Sequence, residues 1–256
     1  NTKMFQNEYR KITKNTNLIA DFGFVKSFKS SNSKEKKNIN HIFSKFNYDF
    51  DLENFRTSII DLSIQRVSND SFLKVFNPYF SLNSIRPNNF NLMTNDIKVT
   101  LDHENYNFIT GMSTYETLST KSSDRYQYIL PYYNFSKNIS QDFLNGSLNL
   151  NSNGSNDLNN TNVFKSSIVN TITYQGADNI SNFGFKTNLN ANFLNLNSIG
   201  KNSIDYKSSP QSEIASIFEL KSVLPLIKTG NEYFDILTPK ISLRFNPGDM
   251  KNHTTD

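Results

Sequence analysis

Apolar and polar residues alternate along this chain in stretches of about ten, and that period constrains the fold more than any single motif does. The run 183–193 shows it best. Phe183, Phe185, Thr187, Leu189, Ala191 and Phe193 fall on one face of an extended strand, and Gly184, Lys186, Asn188, Asn190 and Asn192 on the other. A soluble sandwich alternates as well, but its strands average about five or six residues. Strands of about 9–11 residues with one greasy and one wet face are what a bilayer-spanning barrel requires. The pattern predicts an all-β fold, an antiparallel transmembrane β-barrel, present here as an incomplete curved sheet of about eleven long strands. Residues 1–256 read as part of one barrel domain, with neither a helix-period segment nor a linker that would split off a second.

Bulk composition points the other way until the geometry is considered. The hydrophobic share is 36% and the mean hydropathy −0.56, values of a polar soluble protein. Half of every barrel strand faces water, so no window is uniformly apolar. No stretch approaches the ~18 consecutive apolar residues of a transmembrane helix. Asparagine makes up roughly one residue in six, far above ordinary usage, as an AT-rich coding sequence would give. The 22 Phe and 12 Tyr suit a lipid-facing surface with interfacial rings.

Other classes of chemistry find little support. There is no cysteine, which excludes disulfides and thiolate metal sites. The net charge is +4, and the basic run Lys34-Glu35-Lys36-Lys37 reads as a solvated loop, with no motif for nucleic acid. His41, His103 and His253 fall near expected strand ends or loops, at no metal-ligand spacing, and read as solvated. Asp49 and Asp51 share a face but stand beside Lys45, which favours a hydrated surface over an acid/base pair. With no phosphate loop or nucleophile motif, neither catalysis nor a cofactor is expected.

Along the chain the alternation marks strands over 17–28, 46–52, 60–64, 72–76, 97–101, 106–118, 125–135, 147–151, 163–174, 183–197, 214–224 and 233–245. Pro131 suggests a bulge or an edge in its strand. The Asn/Ser-rich run 151–162 reads as a loop. Connections are expected to alternate short and long. On this reading Phe22, Phe24, Phe46, Tyr48, Phe50, Ile97, Val99, Leu101, Phe183, Phe185, Leu243 and Phe245 face lipid. Asp21, Asn47, Asp49, Asp51, Asp61, Lys98, Asp102, Lys186, Asn188, Asn190, Lys240 and Arg244 face the lumen. That set mixes signs with neutral amides, which suits a wide hydrated lumen better than a narrow ion filter.

Four stretches carry a family resemblance in order along the chain: NTNLIADFGF (Asn15–Phe24), VSNDSFLKVF (Val67–Phe76), RYQYILPYY (Arg125–Tyr133) and LTPKISLRFNPGDM (Leu237–Met250). They resemble the barrel region of the lipopolysaccharide-assembly outer-membrane proteins, the LptD or organic solvent tolerance family. The resemblance implies a Gram-negative outer-membrane location and a C-terminal barrel that follows a periplasmic jelly roll. It implies a plug lipoprotein and a periplasmic bridge as partners, with outer-membrane lipids around the barrel. Lipopolysaccharide would pass its glycan through the lumen and leave by a lateral opening. The chain would cover the first half of the barrel, without the jelly roll, the last strand of the gate or the family's cysteines. The alternatives are a porin or siderophore-type receptor, and a secreted soluble β protein such as an adhesin. A porin would need a constriction loop, a receptor an upstream plug, and an adhesin array a fixed repeat that this chain lacks.

Overall fold

The computed structural model describes residues 3–29, 36–80, 85–120, 124–139, 145–230 and 233–248. It is all-β apart from one short helical segment. In chain order the elements are β1 (Lys3–Ile12), β2 (Thr16–Lys29), β3 (Lys36–Asp49), β4 (Phe55–Val67), α1 (Phe72–Phe76) followed by a 3-10 turn (Asn77–Phe80), β5 (Leu92–His103), β6 (Tyr106–Thr117), β7 (Tyr126–Ile139) and β8 (Gly146–Asn159). After them come β9 (Val163–Gly176), β10 (Asn179–Ile180), β11 (Lys186–Lys201), β12 (Gln211–Val223), β13 (Leu226–Thr229), β14 (Phe234–Leu237) and β15 (Lys240–Phe245). Thirteen strands form one sheet in the order β1 to β9, β11, β12, β15, with β10 paired to β11, and β13 and β14 form a separate hairpin. Neighbours from β1 to β6 pair antiparallel, as do β10 with β11, β11 with β12, β12 with β15 and β13 with β14.

The chain divides into two compact units, Asn1–Tyr133 with Ser155–Lys165, and Asn134–Gly154 with Ser166–Asp256. In the first, β2 to β6 are joined by the connections 30–35, 50–54, 68–91 and 104–105. Register carries the alternation from strand to strand, because residues paired across an antiparallel ladder share a face. Leu18, Phe46, Leu62, Ile97 and Met112 are paired in sequence across five strands. One step along, Asn17, Asn47, Asp61, Lys98 and Gly111 are paired on the opposite face.

The packed core lies on that second face, toward the ends of β2 and β3 farther from the connection 50–54. Val25, Ile39, Phe43 and Val67 are buried there beneath Phe72, Leu73 and Phe76 of α1. A bulge in β2 helps build it. The register slips by one residue between Val25 and Phe28, and Ser27 takes φ 62°. The extra residue turns Phe28, which strict alternation would place beside Phe24, onto the side of Val25, where its ring lies 5.9 Å from Phe76.

Several sequence expectations are corrected. Residues 72–76 form a helix, not a strand, with Phe72, Leu73 and Phe76 on its buried side. β1 is an additional strand, and 151–159 continue β8 where a loop was expected. Pro131 lies inside β7, which has β6 and β8 on its two sides, so the edge reading fails. The expected strand 233–245 is cut at Pro239 into β14 and β15, which belong to different sheets. Phe183 and Phe185 precede β11 in the connection 181–185 and are not strand residues, and Phe50 lies one residue beyond β3. Lys36 and Lys37 open β3, whereas Lys34 and Glu35 lie outside the described residues. The alternation of short and long links holds through β8 and stops at 160–162, which is short where a long link is due. In the second unit β9 to β15 are joined by 177–185, 202–210 and 224–239.

Candidate functional site

The polar face of β2 to β6 carries a groove of about 470 Å³. Two adjacent rows of paired residues form its floor, Asn17–Asn47–Asp61 and Ile19–Lys45–Ser63–Asp96, and Lys98 continues the first row at its margin. The Asn47 side-chain amide donates to one Asp61 oxygen at 2.8 Å, and the Lys98 ammonium stands 3.4 Å from the other. At the upper edge Gln65 exchanges contacts with β5: its N–H donates to Asn95 Oδ1 at 2.8 Å, and its Oε1 accepts the Thr94 N–H at 3.0 Å. On β6 Gly111 has no side chain, and Tyr132 of β7 fills the space. A Cβ there would stand 2.6 Å from the Tyr132 hydroxyl.

Two carboxylates, two ammonium groups and several amides and hydroxyls therefore share one surface, with neither sign in excess. Such a surface exchanges hydrogen bonds with hydroxyl-rich or hydrated ligands without holding one ion tightly. Among the described residues no group of three His, Asp or Glu side chains is placed to hold a metal ion.

Asp21 shares this face but not this solvent. It is fully buried beneath α1, its carboxylate 3.3 Å from His41 Nε2 and accepting from Gln6 Nε2 at 3.0 Å. This corrects two expectations: Asp21 is not a water-lined residue, and His41 is a core histidine of β3. The His41 ring stacks on Phe43 at 4.8 Å and meets Phe72 at 5.1 Å. His103 closes β5, stacked on Tyr106 at 4.9 Å, and its Nδ1 accepts the Asn105 N–H at 3.2 Å. His253 lies outside the described residues.

Asp49 closes β3, and Asp51 lies in the turn after it. Asp49 accepts from Ser58 Oγ and from the Asp51 N–H, while Asp51, at φ 51°, meets Lys14 at 2.8 Å. The hydrogen bond from Lys14 holds the Asp51 carboxyl below the usual carboxylate range and, reciprocally, keeps Lys14 protonated above its ordinary value. Asp102 stands near the turn 104–105, 3.5 Å from Asn107 Nδ2.

Of the apolar set in this unit, Phe22, Phe24, Tyr48 and Ile97 are exposed, and Phe46, Val99 and Leu101 are half-buried. Phe50 is exposed beside Tyr48, their rings edge-on at 5.4 Å.

In the second unit the structure brings Lys186, Asn188 and Asn190 of β11 onto the face shared by Lys240 and Arg244 of β15, with Glu219 of β12 between them. Arg244 Nε donates to Glu219 at 2.9 Å, and Asn188 donates to Asp178 at 2.8 Å. Leu243 and Phe245 lie on the opposite face in register with Leu220 and Phe218. Phe183 and Phe185 are exposed but ahead of the strand.

No family model matches the chain, and no curated protein matches its sequence.

Sequence reasoning missed part of the groove. Asn17, Lys45, Ser63 and Asp96 are each two positions from a residue already assigned or paired with it, so carrying the period of two further would have found them. Gln6 was hidden because β1 is exposed along nearly all its length and lacks a clean apolar face. The second unit holds an unexpected ladder in which Asn170 joins Ser152 at 2.7 Å to Asn195 at 3.1 Å. Its signal was the pair Phe193–Leu194, where the apolar residues of β11 change face while the register runs on unbroken.

Proposed function

We propose that this chain is part of an outer-membrane β-barrel of the lipopolysaccharide-assembly class, with the polar face of β2 to β6 lining a hydrated path. The observation that carries the reading is the ladder of two opposed faces across five long strands. Leu18, Phe46, Leu62, Ile97 and Met112 form an apolar band, and Asn17, Asn47, Asp61 and Lys98 back it with a polar one. Strand length supports a membrane over a sandwich. β5 and β6 have 12 residues each. At about 3.3 Å per residue and a ~45° tilt such a strand climbs about 28 Å, close to the ~30 Å hydrocarbon thickness. No described helix is long and apolar enough to cross a membrane, which leaves crossing by strands untouched.

The four stretches of family resemblance select lipopolysaccharide among the ligands such a path would admit. The balanced charge and abundant amides of the groove suit a glycan that must bind weakly and move on. On this reading the apolar band meets outer-membrane lipid, and the working assembly includes a plug lipoprotein and a periplasmic bridge. A porin is the second reading, favoured by α1, which folds onto the polar face as a constriction loop does.

Photo-crosslinkers at Asn47, Asp61 and Lys98 of the full-length protein test the proposal in growing cells. They are expected to capture lipopolysaccharide while its supply continues, and probes at Phe46 and Ile97 to capture bulk lipid at all times. Absence of capture at every groove position during active supply rejects the assembly reading. Ion conductance by the same protein would then favour the porin.

A further inference from the structure

We propose that α1 is a displaceable lid on the polar face, and that its departure extends the groove from Asp96 and Gln65 to the buried Asp21–His41 pair. The inference concerns this face alone and does not rest on lipopolysaccharide as the ligand.

Register makes the two regions one surface. Asn47, Lys45, Phe43, His41 and Ile39 point the same way along β3, and Asn17, Ile19, Asp21, Gly23 and Val25 do so along β2. Over the first part of that track the groove is open, and over the second part α1 covers it. The lid has an apolar underside, with Phe72 against His41 and Phe76 against Phe28. Beneath it lie two buried polar side chains, Asp21 and His41, and the exposed Gln6 of β1 donates to Asp21 from the side. Enclosing an ionisable pair under a phenylalanine costs desolvation that an apolar floor would avoid. The pair is accounted for if this part of the track is wet whenever the lid is off.

The lid has the makings of a two-state element. A five-residue helix has no stability of its own and keeps its shape only while docked. One clasp fastens its leading end to the sheet. Arg125, just ahead of β7, donates to both oxygens of Asp70 at 2.7 and 3.0 Å, and through Nε to Glu116 of β6 at 2.6 Å. The Tyr126 hydroxyl donates to the same Glu116 oxygen at 3.0 Å. These hydrogen bonds, the one to Asp70 foremost, hold the guanidinium protonated far above any accessible pH. Asp70 is half-exposed, so the clasp lies where another anion or cation can compete for it.

Residues 1–256 contain no cysteine, so single thiols introduced among them can be followed in the full-length chain within cell envelopes, with any cysteine elsewhere replaced by serine. Val25→Cys places a thiol under the lid, Asn17→Cys one in the open groove, and Ser198→Cys a buried one in the other unit. A water-soluble maleimide is expected to modify Asn17→Cys quickly and Val25→Cys slowly. Adding Arg125→Gln removes the charged fork, and the Val25→Cys rate is expected to rise about tenfold or more, with Ser198→Cys unchanged. Asp70→Asn, which keeps the size of the side chain, is expected to act in the same direction more weakly. An unchanged Val25→Cys rate in both clasp variants overturns the proposal. So does an equal acceleration at Ser198→Cys, which would mean general unfolding.

Discussion

The Asn47 amide and the Asp61 carboxylate meet at 2.8 Å across β3 and β4, on the face opposite Phe46 and Leu62. Each polar residue is thus one position from an apolar one that looks the other way. A shift of register by one residue would place Asp61 among the apolar side chains and Leu62 in the groove. The same pair that marks the groove therefore also penalises mispairing of the strands.

Because Lys98 and Asp61 are both partly exposed, their attraction is screened, and the pair is a weak brace. Asp61→Asn is expected to lower stability by about 0.5 kcal/mol, since exposed pairs contribute about 0.2–1 kcal/mol. Asp61→Leu is expected to cost more, because it also strands the Asn47 amide. Urea titration of both variants in one lipid or detergent system orders the two losses.

Gly23 is required where β2 passes under the His41 ring. A Cβ there would lie 2.2 Å from His41 Cε1 and 3.2 Å from the Phe5 carbonyl. While α1 is docked, Phe43 and Phe72 flank the ring on two sides and oppose its moving aside. Gly23→Ala is expected to destabilise by about 1–3 kcal/mol, the usual range for overpacking. The double variant with His41→Ala is expected to recover part of the loss, and a double-mutant cycle measures how much.

The strands that were legible in the sequence are those with two different surroundings. β2 to β6 alternate because one side packs or hydrates differently from the other. The second half of β8 was hidden because its composition, with Asn151, Asn153, Asn156 and Asn159, is that of a turn. Its side chains enter a hydrogen-bonded ladder through Ser152, and no apolar stripe announces it. α1 was misread because five residues are too few for a period. Even so, Phe72 and Phe76 stand four apart with Leu73 beside them, which is helical spacing. The groove was half legible for a related reason. Asn47, Asp61 and Lys98 announce themselves one strand at a time, but the cover over Asp21 comes from a distant connection that no local pattern encodes.

The bond between Lys14 and Asp51 joins two turns at the same end of the first unit and gives that end a pH dependence. The folded carboxyl is held low, so its contribution is present above the ordinary carboxylate range and is lost as pH falls through the depressed value. The folded ammonium is held high, so its contribution is present below the ordinary lysine range and is lost as pH rises through the raised value. Protection of the 13–15 amides from hydrogen exchange, corrected for intrinsic rate, is expected to be flat between these limits and to fall at both. Asp51→Asn is expected to remove both limbs; an acid limb that survives the substitution would assign it to another group.

Neighbouring positions on one strand give the sharpest test of the two faces. Phe46 belongs to the row of Leu18, Leu62 and Ile97, and Asn47 to the row of Asn17, Asp61 and Lys98. If the first row meets lipid near the middle of the bilayer, an arginine there costs about 2–4 kcal/mol. An arginine in the second row meets water and the Asp61 carboxylate and costs little. Phe46→Arg is therefore expected to reduce the amount of full-length protein folded into the outer membrane several-fold, and Asn47→Arg to leave it near the parent level. Heat-modifiable migration of membrane fractions reports the folded amount for each. A soluble sandwich predicts a different outcome: the exposed face would tolerate Phe46→Arg with a gain in solubility. Equal losses at the two positions would place neither face in lipid.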